Sequence, residues 1–246
     1  GVLVSGNLGD WQGDGSNRTA LGGYYTNPYD RLEAKDISGN DWNNMTYNLN
    51  FQQELEGNGS LSIDADLVTW DKGSYQRNDN FFFTEEGPSS EDPLLVRTQT
   101  DTRINILALQ ADYSRTILGD WGLETGLKSS RVATDNDLNF NTLENDALVN
   151  DTARSNRFQY DETIHAAYVN LSKKFNERIS LQAGVRAEYT ASEGYSVTLD
   201  STAQREYFNL FPSASVAYAI NDQHNLSLSY SRRIDRPNYG NLNPFE

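Results

Sequence analysis

Ile179-Ser-Leu-Gln-Ala-Gly-Val-Arg-Ala-Glu-Tyr189 decides the fold. Ile179, Leu181, Ala183, Val185, Ala187 and Tyr189 alternate with Ser180, Gln182, Gly184, Arg186 and Glu188. A period of two sends the two sets to opposite faces of an extended strand. One face is apolar and ends in an aromatic ring; the other is polar and charged. Working outward, Ala167, Val169 and Leu171 alternate with Tyr168, Asn170 and Ser172, and Leu226, Leu228 and Tyr230 with Ser227, Ser229 and Ser231. Toward the start, Tyr47, Leu49 and Phe51 alternate with Asn48, Asn50 and Gln52, and Leu61, Ile63, Ala65 and Leu67 with Ser62, Asp64 and Asp66. Leu107, Leu109, Ala111 and Tyr113 mark another strand, and Trp121, Leu123, Thr125 and Leu127 face away from Gly122, Glu124, Gly126 and Lys128.

The connections sort into two kinds. Glu56-Gly-Asn-Gly59, Leu118-Gly-Asp120, Asn176-Glu177 and Asn221-Asp-Gln-His224 are tight turns by composition, because Gly, Asn and Asp accept positive φ. Between them lie longer polar stretches at Glu85–Pro93, Glu144–Asn156 and Asp200–Arg205. Short turns and long loops alternate, so all short turns fall at one edge of a sheet and all long loops at the other. Outer-membrane barrels have that layout, with short periplasmic turns and long outer loops. The expected fold is all-β: an antiparallel up-and-down meander of about eight strands. The strands over Ser60–Thr84, Val96–Ile117, Trp121–Leu143 and Ile179–Leu199 exceed the ~10 residues that cross a bilayer. The first forty residues, with Asp10-Trp-Gln-Gly-Asp-Gly15, are expected to be polar loop and a poorly defined strand.

Composition agrees. Only 37% of the 246 residues are hydrophobic, which is sparing for a globular domain but natural where half of every strand is polar. Fourteen Tyr and four Trp argue against disorder. Trp121 and Tyr218 lie near short turns, and Tyr113, Tyr189 and Tyr230 are expected to close the apolar band, as interfacial girdles do. A net charge of -15 excludes a nucleic-acid partner and simple adsorption to anionic lipid. With no cysteine, neither disulfides nor thiolate metal sites are possible. No leader is visible before Gly1, and no apolar run reaches the ~18 residues of a membrane helix.

The second half carries a more specific likeness. Ile164-His-Ala-Ala-Tyr-Val-Asn-Leu-Ser-Lys-Lys-Phe175, the stretch Ile179–Thr190 and Phe211-Pro-Ser-Ala-Ser-Val-Ala-Tyr218 resemble paired strands of TonB-dependent receptors from Bacteroidetes. Ser229-Tyr-Ser-Arg-Arg-Ile-Asp-Arg-Pro237 and Leu242-Asn-Pro-Phe245 resemble the matching stretch of the outer-membrane-protein β-barrel family. That resemblance implies a barrel of about 22 strands around a plug domain, energised by TonB, importing a scarce siderophore, cofactor or glycan. The 246 residues show no plug and no TonB-contacting box, and Asn243-Pro244 makes a poor final strand. They are therefore expected to form part of a larger barrel, in outer-membrane lipid.

Catalytic chemistry finds little support. His165 falls mid-strand on the apolar parity and His224 in a tight turn, so a shared metal site or a Ser-His-acid triad is not expected. Asp135-Asn-Asp137 with Asn139 and Glu144 echoes a Ca²⁺ loop, but Phe140 stands where an EF-hand needs Gly; solvated loop acids are the better reading. Asp64 and Asp66 share the polar parity and are expected to line a lumen, as is Glu188. Arg232, Arg233 and Arg236, before Pro237, are the densest basic feature. They are read as a lumen anchor for a plug or anionic ligand, or more simply as partners of lumen acids such as Glu188. No enzyme activity and no cofactor is expected. Two other readings remain: a soluble β-sandwich that binds glycan, whose strands should be about five or six residues long, and a structural barrel without transport.

Overall fold

The computed structural model describes residues 1–20, 31–84, 86–89, 92–144 and 147–234. They form one antiparallel sheet of eleven strands. In chain order these are β1 (Val2–Ala20), β2 (Arg31–Leu55), β3 (Gly59–Thr84), β4 (Gly87–Pro88), β5 (Leu94–Ile117), β6 (Trp121–Glu144), β7 (Ala147–Asn150), β8 (Asn156–Lys174), β9 (Ile179–Ser196), β10 (Ser201–Asn221) and β11 (His224–Ser231). Sheet order follows chain order, except that β4 is an appendage of β3 and β7 of β6. A meander of strands mostly 18 to 26 residues long excludes a sandwich of short strands.

Nine long strands stand where about eight were expected. The extra one is β1, read from sequence as mostly loop. It pairs with β2 without a break from Val2–Leu49 to Ala20–Arg31. Its own signal is weak, since Gly6, Gly9, Gly13 and Gly15 interrupt the alternation. The long edge of β2 supplies the order instead. The Asp200–Arg205 loop is also corrected. Residues 197–200 alone join β9 to β10, and Ser201 already pairs with Ser196. Asp200 takes a positive φ of 47°, Tyr195 Oη donates to its Oδ1 at 3.0 Å, and Leu199 N donates to Ser196 Oγ at 3.2 Å. The stretch from Glu144 to Asn156 likewise contains β7, folded back onto β6 from Asn141–Asn150 to Glu144–Ala147.

The opposite edge is made of tight turns, as expected. Gly57 and Asn58 both have positive φ, as do Leu118 and Gly119. Asn176 Oδ1 accepts from Arg178 N and Ile179 N, and Asn221 Oδ1 from Gln223 N.

Register then makes two continuous faces. Leu49, Ala65, Leu109, Ser129, His165, Tyr189 and Phe208 are successive cross-strand partners in one row. The parallel row toward the tight turns holds Phe51, Ile63, Ala111, Leu127, Ala167, Ala187 and Leu210. Leu49, Phe51, Ile63, Leu107, Leu109, Leu127, Leu210 and Leu228 are all exposed. Apart from Asp79, which is buried on the outward face, the few buried side chains have the other parity: Val96, Thr134, Asn156, Phe158, Ala166, Glu188, Thr190 and Ser196. Strand curvature covers the concave face, so the sheet curls with its polar side inward and its apolar side outward. No globular core exists among these residues; the apolar surface needs an apolar solvent.

The height of that surface can be estimated. The run Ile179 to Tyr189 spans eleven residues, as does Leu107 to Ile117. At ~3.3 Å per residue and a tilt of ~40°, each stands about 25 Å high, the apolar belt of an outer-membrane barrel. Tyr47, Tyr189 and Phe208 border the belt on one side, and Trp121, Phe175 and Tyr218 on the other. Tyr113 departs from the expectation, falling in the middle of the Leu107–Ile117 run. Beyond the belt the strands continue, by thirteen residues in β5 (94–106).

Candidate functional site

The inner face carries the polar groups. At belt height it presents Asp64, Asp66, Gln110, Asp112, Glu124, Lys128, Tyr168, Arg186 and Glu188. Acids outnumber bases, so a water-filled interior here favours cationic or hydrogen-bond-donating groups. Asp112, Gly126, Tyr168 and Arg186 form one cross-strand row. Tyr168 Oη donates to Asp112 Oδ1 at 2.6 Å, reaching across the intervening β6. Gly126 makes this possible: a Cβ there would collide with both the Asp112 carboxylate and the Tyr168 ring.

Glu188 is 9% exposed and accepts from Arg186 Nε at 2.6 Å. Ala166, its partner on β8, is small and buried and leaves room for the carboxylate. Asp64 and Asp66 lie on the same face, four strand intervals away beyond β5, β6 and β8. Asn48 Nδ2 donates to Asp66 Oδ1 at 2.7 Å. The structure therefore places all three acids on the polar face without gathering them into one cluster.

The arginine run divides. Arg232 lies just past β11; its Nη1 donates to Leu210 O at 3.0 Å and its guanidinium sits 5.9 Å from the centre of the Phe211 ring. Nη2 reaches Asn209 Oδ1 at 3.5 Å, and Asn209 is the register partner of Glu188. The side chain thus turns toward the inner face from the sheet edge. Among the described residues Glu188 is held by Arg186 of its own strand, rather than by Arg232. Arg233 is exposed, and Arg236, Pro237 and Leu242–Phe245 lie outside the described residues.

His165 faces outward between Ser129 and Tyr189, while His224 begins β11 at the tight-turn edge. Among the described residues no group of three or more His, Cys, Asp or Glu is arranged to hold a metal ion. Asp135 and Asp137, read as loop acids, belong with Asn139 to the strand β6. Arg157 grips Asp135 through two bonds of 3.0 and 2.7 Å, and Gln159 adds a third at 3.1 Å. The Arg157 bonds hold the Asp135 carboxyl below its usual range against the opposing effect of burial, with Gln159 assisting.

Sequence reasoning missed a belt of ion pairs on the outward face above the apolar zone. Arg103 pairs with Asp71 at 2.9 Å, Arg131 with Asp161 at 2.7 Å, and Arg157 with Asp135. Higher still, Asp79 is 5% exposed and accepts from Arg77 at 2.9 and 2.6 Å and from Arg97 at 2.8 Å. Burial pushes its carboxyl up, but the two guanidiniums outweigh this and hold it below the ordinary value of 3.8. Apart from Arg77–Asp79, two residues apart on one strand, these pairs join residues about 20 to 30 positions apart, so only register reveals them.

The sequence profile of the outer membrane protein beta-barrel family matches residues 53–246. The chain belongs to that family. No curated protein matches it in sequence. Among solved structures it is similar to the ferric citrate transporter FecA in its unliganded form, at 13% identity and a TM-score of 0.47, covering 80% of this chain and 35% of that one. The ferric-catecholate import receptor Fiu of E. coli K12 aligns at 11% identity and TM-score 0.46, covering 94% and 53%. The ferripyoverdine receptor of Pseudomonas aeruginosa aligns at 10% and 0.43, covering 94% and 41%. The chain thus spans between about a third and about half of these proteins' length.

As a member of the outer membrane protein beta-barrel family, the chain resides in the outer membrane. Its apolar outer face meets lipid and its polar face lines the interior. The tight turns mark the periplasmic edge, and the strand extensions with their ion pairs rise on the outer side.

Proposed function

We propose that this chain is part of the barrel wall of a TonB-dependent nutrient receptor of a Bacteroidetes bacterium. It binds a scarce ligand (a siderophore, a cofactor or a glycan) at its outer side and passes it through an interior occupied by a plug domain, without catalysing a reaction. The observation that carries the reading is the sheet itself. Its polar inner face, rich in Asp112, Glu124, Arg186 and Glu188, runs the whole height of an apolar outer belt, and its strands continue well beyond it. Such a wall surrounds a wet interior and lifts binding loops clear of the membrane. The receptor-like stretch Ser229–Pro237 adds the TonB requirement.

The test uses cells that produce the full polypeptide, compared with a deletion strain. Accumulation of labelled ferric siderophores, cobalamin and oligosaccharides is measured with and without a functional TonB. One ligand is expected to accumulate only when both receptor and TonB are present. Equal accumulation across all strains and ligands would reject uptake and leave a structural barrel.

A further inference from the structure

Two outward-facing rows at the periplasmic border of the belt carry a charge: Arg115 in the row of Leu123, Leu171, Ala183, Ala214 and Tyr230, and Lys173 in the row beyond it. Ile117, Trp121, Lys173, Leu181, Val216 and Leu228 are successive cross-strand partners in that second row, and Lys173 is the single charge among them. Its ammonium is not left bare. Nζ lies 5.1 Å from the centre of the Trp121 ring and 5.4 Å from that of Phe175, and 3.0 Å from Asp120 Oδ1. The two rings meet edge to face at 6.2 Å and 81°. Phe175 and Asp120 are exposed, while Lys173 is only 21% exposed.

We propose that this corner is a specific site for a zwitterionic phospholipid of the inner leaflet, one whose headgroup carries a phosphate and a primary ammonium. The lysine stem lies along the apolar belt and delivers its ammonium at headgroup depth. There it meets a phosphate with little rearrangement. Asp120, beside it, is placed for the headgroup's own ammonium. A headgroup with phosphate but no cation would satisfy Lys173 and face Asp120 unpaired, so the pair selects against purely anionic lipid. Trp121 and Phe175 fix the lysine by cation–π contact and give the glycerol region a flat apolar wall. Leu181 and Val216 continue that wall along the acyl chains. The inference rests on the outer-membrane placement and not on transport, so the uptake experiment and this one fail independently.

The test is native mass spectrometry of the full polypeptide purified from outer membranes, offered equal amounts of phosphatidylethanolamine and phosphatidylglycerol. The wild type is expected to retain the ethanolamine lipid in preference, by roughly fivefold or more. Lys173→Ala loses that preference and Lys173→Arg keeps it, while Asp120→Asn turns it toward phosphatidylglycerol. Heat-dependent gel mobility checks that each variant is folded. If Lys173→Ala does not fold, the Asp120→Asn shift decides alone, because Asp120 stands in an exposed turn. Equal retention of both lipids by the wild type, or an unchanged preference in Asp120→Asn, overturns the proposal.

Discussion

At the scale of single residues, the charges above the membrane are the most testable feature. Asp79 is enclosed by Arg77 and Arg97, and its folded carboxyl lies below the ordinary 3.8. The sign follows from linkage. In the opened state the carboxyl titrates near its ordinary value; in the folded state it titrates lower, so the opened state takes up the proton first as pH falls. The stabilisation is complete above about pH 5, begins to fall near the ordinary value and is lost as pH drops through the lower, folded one. Hydrogen exchange of the amides around 77–80 and 95–97, corrected for intrinsic rates, is therefore expected to be flat from about pH 7 to 5 and to rise below about 4. In Asp79→Asn these amides exchange roughly tenfold faster at neutral pH, with the acid step gone. The same acid step in the variant as in the wild type would show that Asp79 contributes nothing there. Arg77, two residues from Asp79, shares its face by alternation alone, but Arg97 was not legible in the sequence. Arg97 is eighteen residues from Asp79, and only the pairing of Asp79 with Leu95 brings them together.

Strands were more legible, and for a plain reason. Where an alternation is complete, as in Ile179–Tyr189, face and height follow from the side chains alone. Where glycine interrupts it, as in β1, the order comes from the neighbouring strand and cannot be read locally. The β9–β10 connection failed for the same reason. Ser196, Asp200 and Tyr195 close a four-residue turn through side-chain bonds that composition does not announce. Gly126 is a similar case, since its value lies in what passes over it. The facing assignment itself predicts an asymmetry. Val185 sits near mid-belt, between Val169 and Pro212 on the outward face. Val185→Arg is expected to cost about 2–4 kcal/mol of folding stability in lipid. Gln182→Arg, on the inner face of the same strand, is expected to cost well under that. Denaturant titration of the full polypeptide refolded into vesicles measures both. Similar costs at the two positions would mean that the faces are assigned wrongly.

At the scale of the molecule, the sheet poses a problem of edges. Among the described residues β1 pairs only with β2, and β11 only with β10. Each leaves a row of backbone donors and acceptors unmatched, and in hydrocarbon every such group costs several kcal/mol. Curling does not remove the difficulty, because only a closed ring of strands satisfies both edges. The outer face compounds it, with Leu8, Leu49, Leu109, Leu127, Leu226 and Leu228 all half or more exposed. The 246-residue chain by itself is therefore expected to associate in plain buffer, through both the apolar belt and the open edges. In detergent micelles the belt is covered but the edges are not. Circular dichroism should then show abundant strand, while thermal unfolding should be broad and dependent on protein concentration. Supplying the remaining strands in the full polypeptide should sharpen the transition and remove that concentration dependence, since closure satisfies β1 and β11 within one molecule. A cooperative, concentration-independent transition of the isolated chain in plain buffer would contradict this, because it would require the chain to satisfy its own edges and bury its own belt.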